Sequence, residues 1–292
     1  MIAKSASELI EICKTENIKL SEYAINLEME QKDNTREELY QHMKETLDVM
    51  RQGALSGREK EVYSLSGLIG GDAYKLQKYL ESGKSLLGDT AVKAMAMALS
   101  SSEVNGSMGK IVACPTAGSC GILPAVILTA GEKLGKSTDE MIEGLFAASA
   151  VGMIIGMNAT FAGAEGGCQS ECGSAAAMAS AAVVEMMGGT PEMSLNAGAI
   201  VFKNVLGLVC DPVAGLVEIP CAKRNVAGAI SALSTADLVM AGVSSKIPFD
   251  DTLSAMYKIG IDLPASLRET ALGGLAVTKT GLALKDKVFS KK

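Results

Sequence analysis

The sequence predicts a mainly α fold, a helical domain with Gly- and Cys-rich loops, on three observations. Apolar residues recur at helical spacing through most of the chain. Capping boxes open several of those runs. Nowhere in the 292 residues do strands alternate with helices, which disfavours a Rossmann or TIM architecture. Apolar residues make up 48% and charged residues 21%, the balance of a folded chain. Aromatics are 4% and Trp is absent, so the core is built from Ala, Val, Leu, Ile and 16 Met, with many Gly among them.

The elements follow in order. Ser5-x-x-Glu8 opens a helix with Leu9, Ile10 and Cys13 on one face. Leu20, Tyr23, Ala24 and Leu27 repeat the i, i+3, i+4, i+7 pattern. Thr35-x-x-Glu38 caps a third helix carrying Leu39, Met43, Leu47 and Met50, and Ser137-x-x-Glu140 caps a long apolar one. Ala175 to Met187 reads as an Ala-rich helix stopped by Gly188 and Gly189, after which Pro191 sits where a first helical turn tolerates it. Ile111 to Ala113 and Val205 to Val209 are the only short strands the pattern offers, and both also fit helix ends. Residues 1–60 hold 21 of the 60 charged residues and residues 104–200 only 11, so a polar helical layer covers a buried heart. A weak boundary falls near Gly53 to Lys60, and the whole of 1–292 is read as a single domain.

Charge and targeting signals narrow the function classes. A net charge of −6 disfavours a nucleic-acid binder, which needs a basic stripe for phosphates, and the basic KDKVFSKK tail is short. The N-terminus lacks an apolar segment with a small-residue cleavage site, which predicts a cytoplasmic protein. Seven Cys without an export signal then point to thiols for metal or reactivity more than to disulfides. Leu145 to Ala164 is as long as a bilayer span, but it contains Asn158 and Thr160 and lacks Lys/Arg flanks, so a buried helix and no membrane is expected.

Four loops carry the chemistry. They are GAEGGCQSECG with Cys168 and Cys172, LGLVCDPVAG with Cys210, EIPCAKRN with Cys221, and CPTAGSCG with Cys114 and Cys120. No C-x-x-C pair is present, so zinc-ribbon and bacterial ferredoxin spacings fail. Cys168 and Cys172 would share a face on one helix, and could bridge or co-ligate. By spacing alone, thiolates gathered from separate loops and small buried apolar cysteines remain equally open readings. In CPTAGSCG, Gly-rich backbone before a helix offers N–H groups to a carboxylate, while Ser119 equally fits a helix N-cap. His42, the only His, reads as a surface or partner-facing residue. Lys75 follows a Gly-Gly turn and fits either a site-lining amine or a solvated helix lysine; Lys223 and Arg224 fit either charge compensation beside Cys221 or solvent.

The segments GGDAYKLQKYLESGKSL, CPTAGSCG, GAEGGCQSECGSA, NVLGLVCDPVAGLVEIPCAKRN and MYKIGIDLPASLRETALGGLA resemble the alpha chain of iron–sulfur-dependent L-serine dehydratases, from about residue 5 to residue 281. The resemblance implies loops converging on a [4Fe–4S] cluster held by Cys168, Cys210 and Cys221, with Cys114, Cys120 and Cys172 as packing residues; Cys13 reads as a small buried apolar residue from its helix face. It implies an open fourth iron acting as a Lewis acid on the serine hydroxyl, a poor leaving group unaided. Removal of the Cα proton and loss of water would give aminoacrylate, then an imine, then pyruvate and ammonia. It assigns Thr116, Gly118 and Ser119 to serine recognition and leaves Lys75 as the candidate catalytic amine. Because some relatives of this kind carry an extra domain in one chain, the resemblance also implies a separate beta chain, and so an oligomer. A related enzyme acting on threonine or cysteine, and a non-catalytic iron–sulfur protein, are the alternatives.

Overall fold

The computed structural model describes residues 2–290. Among them the chain forms α1 (Ala6–Glu16), α2 (Leu20–Lys32), α3 (Arg36–Glu59), α4 (Asp72–Glu81), α5 (Gly88–Gly106), α6 (Ile122–Leu134) and α7 (Thr138–Asn158). These are followed by α8 (Gly163–Gly166), α9 (Ser174–Met186), α10 (Pro191–Val205), α11 (Cys221–Met240), α12 (Phe249–Asp262) and α13 (Lys279–Phe289). The mainly α expectation holds. Neither short strand forms: residues 111–113 are loop, and 205–209 are the end of α10 and the turn after it. The described residues contain only two isolated bridges, Tyr63 with Gly70 and Cys210 with Arg268. The last two residues of the basic tail lie outside the described residues; Lys285 to Phe289 belong to α13 and Ser290 caps it.

Helix α9 is the axis of the molecule. Every residue from Ser174 to Met186 is buried, enclosed by α6, α7, α10 and α11. A helix apolar all round belongs inside a protein, and the alanines on α9 let four neighbours approach it. Helix α7 contains most of the long apolar stretch. It is the one helix among the described residues long and apolar enough to cross a membrane, and 67% of its most apolar window is buried in this fold. It packs mainly against α2 and α9, and also touches α3, α6 and α12.

The first three helices form the polar layer. They reach the core through their apolar faces: Leu9, Leu20, Ile25 and Leu47 are fully buried, each contributing about 1.5–3 kcal/mol by removal from water. Helix α3 runs through Gly53 to Glu59, and Lys60 is its C-cap. Ser100 of α5 donates to the Gly53 carbonyl at 2.6 Å and accepts from the Gly57 N–H at 2.8 Å, inserting its hydroxyl into one turn of α3.

Helix starts follow the sequence in part. The Thr35 and Ser137 boxes are reciprocal, as their spacing predicts. The Ser5 box is half made, because the Glu8 carboxylate accepts from Lys4 N–H and not from Ser5 N–H. Two other caps come from distant chain. Buried Glu185 of α9 accepts from the N–H groups of Leu20 (2.8 Å) and Ser21 (3.3 Å) at the start of α2. Asp250 of α12 accepts from Ala6 and Ser7 N–H at the start of α1. Both carboxylates satisfy N–H groups that a helix leaves unpaired, and both oppose the positive end of its dipole.

Candidate metal centre and substrate loop

Four connecting segments, each with no more than short helical turns, meet where α9 and α11 begin. Residues 159–173 carry Cys168 and Cys172, residues 206–220 carry Cys210 and lead into Cys221, residues 107–121 carry the CPTAGSCG loop, and residues 263–278 form a strap across them.

Cys168 is 1% exposed and directly precedes a π-helical turn, Gln169–Gly173, that runs into α9. Gly167 makes the entry. Its φ is +75°, and a Cβ there would lie 2.8 Å from both the Leu208 carbonyl and a Leu263 methyl, so no other residue fits. Fully buried Gln169 fixes the segment. Its amide donates to the Gly166 and Met256 carbonyls and its oxygen accepts from Gly207 N–H at 2.9 Å, tying the Cys168 loop to the chain that leads into Cys210.

Cys210 is held by the strap. Its N–H donates to the Leu267 carbonyl at 2.9 Å, and its own carbonyl accepts from Glu269 N–H at 2.7 Å. Arg224 of α11 grips both flanks of Cys210: one guanidinium nitrogen donates to the Val209 carbonyl and another to the Asp211 carboxylate, each at 2.8 Å. Asp211 also accepts from Leu275 N–H at 2.7 Å, which closes the strap over the site. Cys221 is the first residue of α11 and is buried.

Glu171 joins these thiols to the CPTAGSCG loop. Thr116 donates its hydroxyl to Glu171 Oε1 at 2.9 Å, and Cys210 Sγ lies 3.8 Å from Glu171 Oε2. Glycines make room for that carboxylate: a Cβ on Gly118 would stand 3.0 Å from Oε1, and one on Gly163 would stand 2.7 Å from Oε2 and 3.1 Å from Cys210 Sγ. The carboxylate oxygens of Glu171 and Glu269 and the sulfur of Cys210 can all lie within 4.8 Å of one another. Neither glutamate is evident from sequence spacing, because Glu269 arrives from the strap, 98 residues after Glu171.

The electrostatics are those of crowded anionic donors. Burial, then Glu171, then the neighbouring Cys168 push the Cys210 thiol far above its ordinary value. Burial and Cys168 raise Cys221 to about 12. Burial raises Glu171, with the Thr116 hydrogen bond opposing. Cys168 runs the other way: its contact with the Cys172 thiol at 3.4 Å, and Arg224 beside it, favour the thiolate. Several buried thiols and two carboxylates thus face one guanidinium. A cationic group bound by the thiolates relieves that imbalance, so the donor set fits an iron–sulfur group.

The remaining candidates divide. Ser119 is fully buried; its hydroxyl lies 3.1 Å from Thr116 Oγ1 and 3.4 Å from Thr116 N, closing a reciprocal box on the 3₁₀ turn Ala117–Ser119. The N-cap of that turn is Thr116, and α6 begins from Gly121 without a side-chain cap, so Ser119 is not the helix cap that the sequence allowed. Gly118 gives its carbonyl to Asn225. Lys75 lies on α4 with its side chain 69% exposed, paired to Asp72 at 3.0 Å; Asp72 in turn pairs with Lys223. The hydrogen bond from Lys75 to Asp72 raises the ammonium's pKa, which opposes a role as base. Cys114 and Cys120 are buried with their sulfurs against backbone carbonyls, and burial lifts Cys120 to about 12. Cys13 is likewise raised to about 12, between α1 and α2. His42 is exposed on α3 and lines a groove with Glu28 and Met153, apart from the cysteine segments.

Comparisons with known proteins bear on this arrangement. The family described as serine dehydratase alpha chain matches residues 15–276. The chain is 51% identical over 286 residues to a probable L-serine dehydratase alpha chain of Bacillus subtilis, covering 98% of this chain and 95% of that one. It is 48% identical over 277 residues to the L-serine dehydratase alpha chain of Peptoniphilus asaccharolyticus, covering 95% of each. Against L-serine dehydratase 2 of Escherichia coli the identity is 34% over 284 residues, which is 94% of this chain but 61% of that longer protein.

Proposed function

This chain belongs to the serine dehydratase alpha chain family, and from that premise we propose that it is the catalytic alpha chain of an L-serine dehydratase, a lyase that converts L-serine to pyruvate and ammonia. The observation that supports the reading is Cys210 Sγ against the Glu171 carboxylate, which also accepts from the Thr116 hydroxyl, with buried Cys168 and Cys221, both free of disulfides, near enough to help raise the Cys210 thiol. Cys168, Cys210 and Cys221 would hold a [4Fe–4S] cluster, whose iron without a protein ligand supplies a Lewis acid to the serine hydroxyl when bound.

The chain's own residues define the rest of the site. The turn Ala117–Ser119 offers the Ala117 and Gly118 N–H groups beside the site, where the substrate carboxylate is bound. Ser119 acts within that turn by holding Thr116 in place. Gly118 keeps the turn close to Glu171. The Glu171 carboxylate is the anionic group beside that turn and receives the α-ammonium of serine. The strap over Cys210, pinned through Asp211, excludes water from the thiols.

Lys75, held as an ammonium by Asp72, acts as a positive group near the start of α11 and not as the base. The base that takes the Cα proton belongs to a separate beta chain, consistent with the greater length of the Escherichia coli relative. After proton and hydroxyl depart as water, aminoacrylate tautomerises to the imine and water releases ammonia. The assembly of alpha and beta chains works in the cytoplasm. The test is anaerobic reconstitution of the alpha chain with its beta chain, followed by iron, sulfide and pyruvate assays. About four irons and four sulfides per alpha chain, with serine-dependent pyruvate, is the expected result; serine turnover by a protein without bound iron overturns the reading.

A further inference from the structure

Cys172 is the thiol at the centre that the three-cysteine ligand set leaves unused. It is 4% exposed and lies one π-helical turn after Cys168, with the two sulfurs 3.4 Å apart. Its situation differs from that of the other spare thiols. Cys114, Cys120 and Cys13 each direct sulfur toward a backbone carbonyl, of Val112 and Cys120, of Ser101, and of Lys19 respectively. Cys172 alone among these four meets another sulfur.

The geometry of the turn suits a bond between them. Residues four apart on a helix have Cα atoms separated by about 6 Å along the axis. That lies inside the roughly 4.4–6.8 Å that a disulfide spans. Bringing the sulfurs to about 2.05 Å requires an approach of about 1.4 Å, which side-chain rotation on one turn supplies without moving a helix. Such a bond constrains nothing beyond its own turn. Its effect is chemical: it takes Cys168 out of the ligand set.

We propose that Cys168 and Cys172 are an oxidative modification site: once iron leaves Cys168, peroxide converts the pair to a disulfide that blocks the cluster from re-forming. The proposal rests on the reading of Cys168 as a cluster ligand. The Cys168 sulfur attacks one peroxide oxygen, the O–O bond breaks, and a sulfenic acid and water form. The Cys172 thiol then attacks the Cys168 sulfur and displaces the second water. Two thiols and one hydrogen peroxide give one disulfide and two waters, with both sulfurs oxidised and both peroxide oxygens reduced. While iron holds Cys168 its sulfur is engaged, so loss of iron must precede the bond.

The experiment uses the reconstituted alpha chain with its beta chain, exposed to hydrogen peroxide until iron is released, then denatured, alkylated and mapped by mass spectrometry. The expected product is one peptide lighter by two hydrogens, in which Cys168 and Cys172 resist alkylation until dithiothreitol is added. In wild-type protein, dithiothreitol treatment before iron and sulfide are restored should speed cluster recovery several-fold; in Cys172→Ala, where no thiol resolves the Cys168 sulfenic acid, mass spectrometry should find Cys168 as the sulfenic or sulfinic acid and no disulfide. Free alkylation of both cysteines after iron loss, or a disulfide joining Cys168 to another partner, overturns the proposal. So does failure of Cys172→Ala to hold iron anaerobically, which would make Cys172 a ligand. Full iron retention by Cys168→Ala would instead remove the ligand reading, while the peroxide product in wild-type protein still reports on the pair itself.

Discussion

The side-chain amide of Asn225 donates to the Gly118 carbonyl at 2.7 Å, joining the first turn of α11 to the 3₁₀ turn of the CPTAGSCG loop. The same nitrogen donates to the Cys221 carbonyl at 2.9 Å, and the side-chain oxygen accepts from Gly121 N–H at 2.8 Å. One buried side chain therefore sets the distance between the CPTAGSCG loop and Cys221.

Asn225→Asp keeps the acceptor for Gly121 but loses both donated bonds and buries a charge. The expected cost is about 2–4 kcal/mol of stability. Serine turnover should fall at least tenfold, because the turn carrying Thr116 and Gly118 loses its tether. Urea unfolding and pyruvate formation measure the two effects. A variant as stable and as active as wild type removes Asn225 from the site's architecture.

Arg224 acts on Cys210 by geometry as well as charge. Its fork holds the Val209 carbonyl and the Asp211 carboxylate together, and Lys cannot span both in one plane. Arg224→Lys keeps the positive charge and loses the fork. The expected outcome is faster iron release to a chelator, by about tenfold or more, with helix content unchanged by circular dichroism. If iron is released at the wild-type rate, charge alone is what Arg224 supplies.

The helices were legible because their signals are local. The Thr35 and Ser137 boxes and the Ala-rich run of α9 each announce themselves within a few residues. The four chemical loops were legible as Gly- and Cys-rich interruptions of that pattern. Gln169 and Asn225 were not, since each is an ordinary polar residue until tertiary packing gives it three backbone partners. Nor was the part played by the strap. Residues 263–278 look like a loop near the end of the chain, and only pairing with Cys210 and Asp211 brings Glu269 to the thiols. Capping of α2 by Glu185 is hidden for the same reason, at a separation of 165 residues.

The cysteines divide by what their sulfurs face. Cys168→Ala, Cys210→Ala and Cys221→Ala should each lower iron per chain well below the reconstituted wild-type value. Cys13→Ala removes a sulfur enclosed by α1 and α2 and should lower stability modestly while leaving iron content unchanged. Iron analysis after anaerobic gel filtration distinguishes them. Equal loss in all four variants would mean that the thiols act only through folding.

Glu103 gives the fold a pH dependence that its own substitution can isolate. The carboxylate is 1% exposed on α5. It accepts from Asp72 N–H at 2.7 Å and Ala73 N–H at 3.2 Å, capping α4, while its second oxygen has no partner among the described residues. Burial raises its pKa to about 7; the two N–H groups and Lys223 oppose that rise, and Asp72 adds to it. Because the folded value lies above the unfolded one, the native state binds the extra proton. The associated stability is fully present below the unfolded value near 4.5 and is lost as pH rises through about 7. The wild-type chain should therefore become less stable between pH 5 and pH 8, by about 3 kcal/mol at most. Glu103→Gln holds the neutral form at every pH and should flatten that part of the profile. Unfolding in urea at a series of pH values, wild type against variant, makes the comparison. Parallel profiles across that range would place the titrating group elsewhere in the chain.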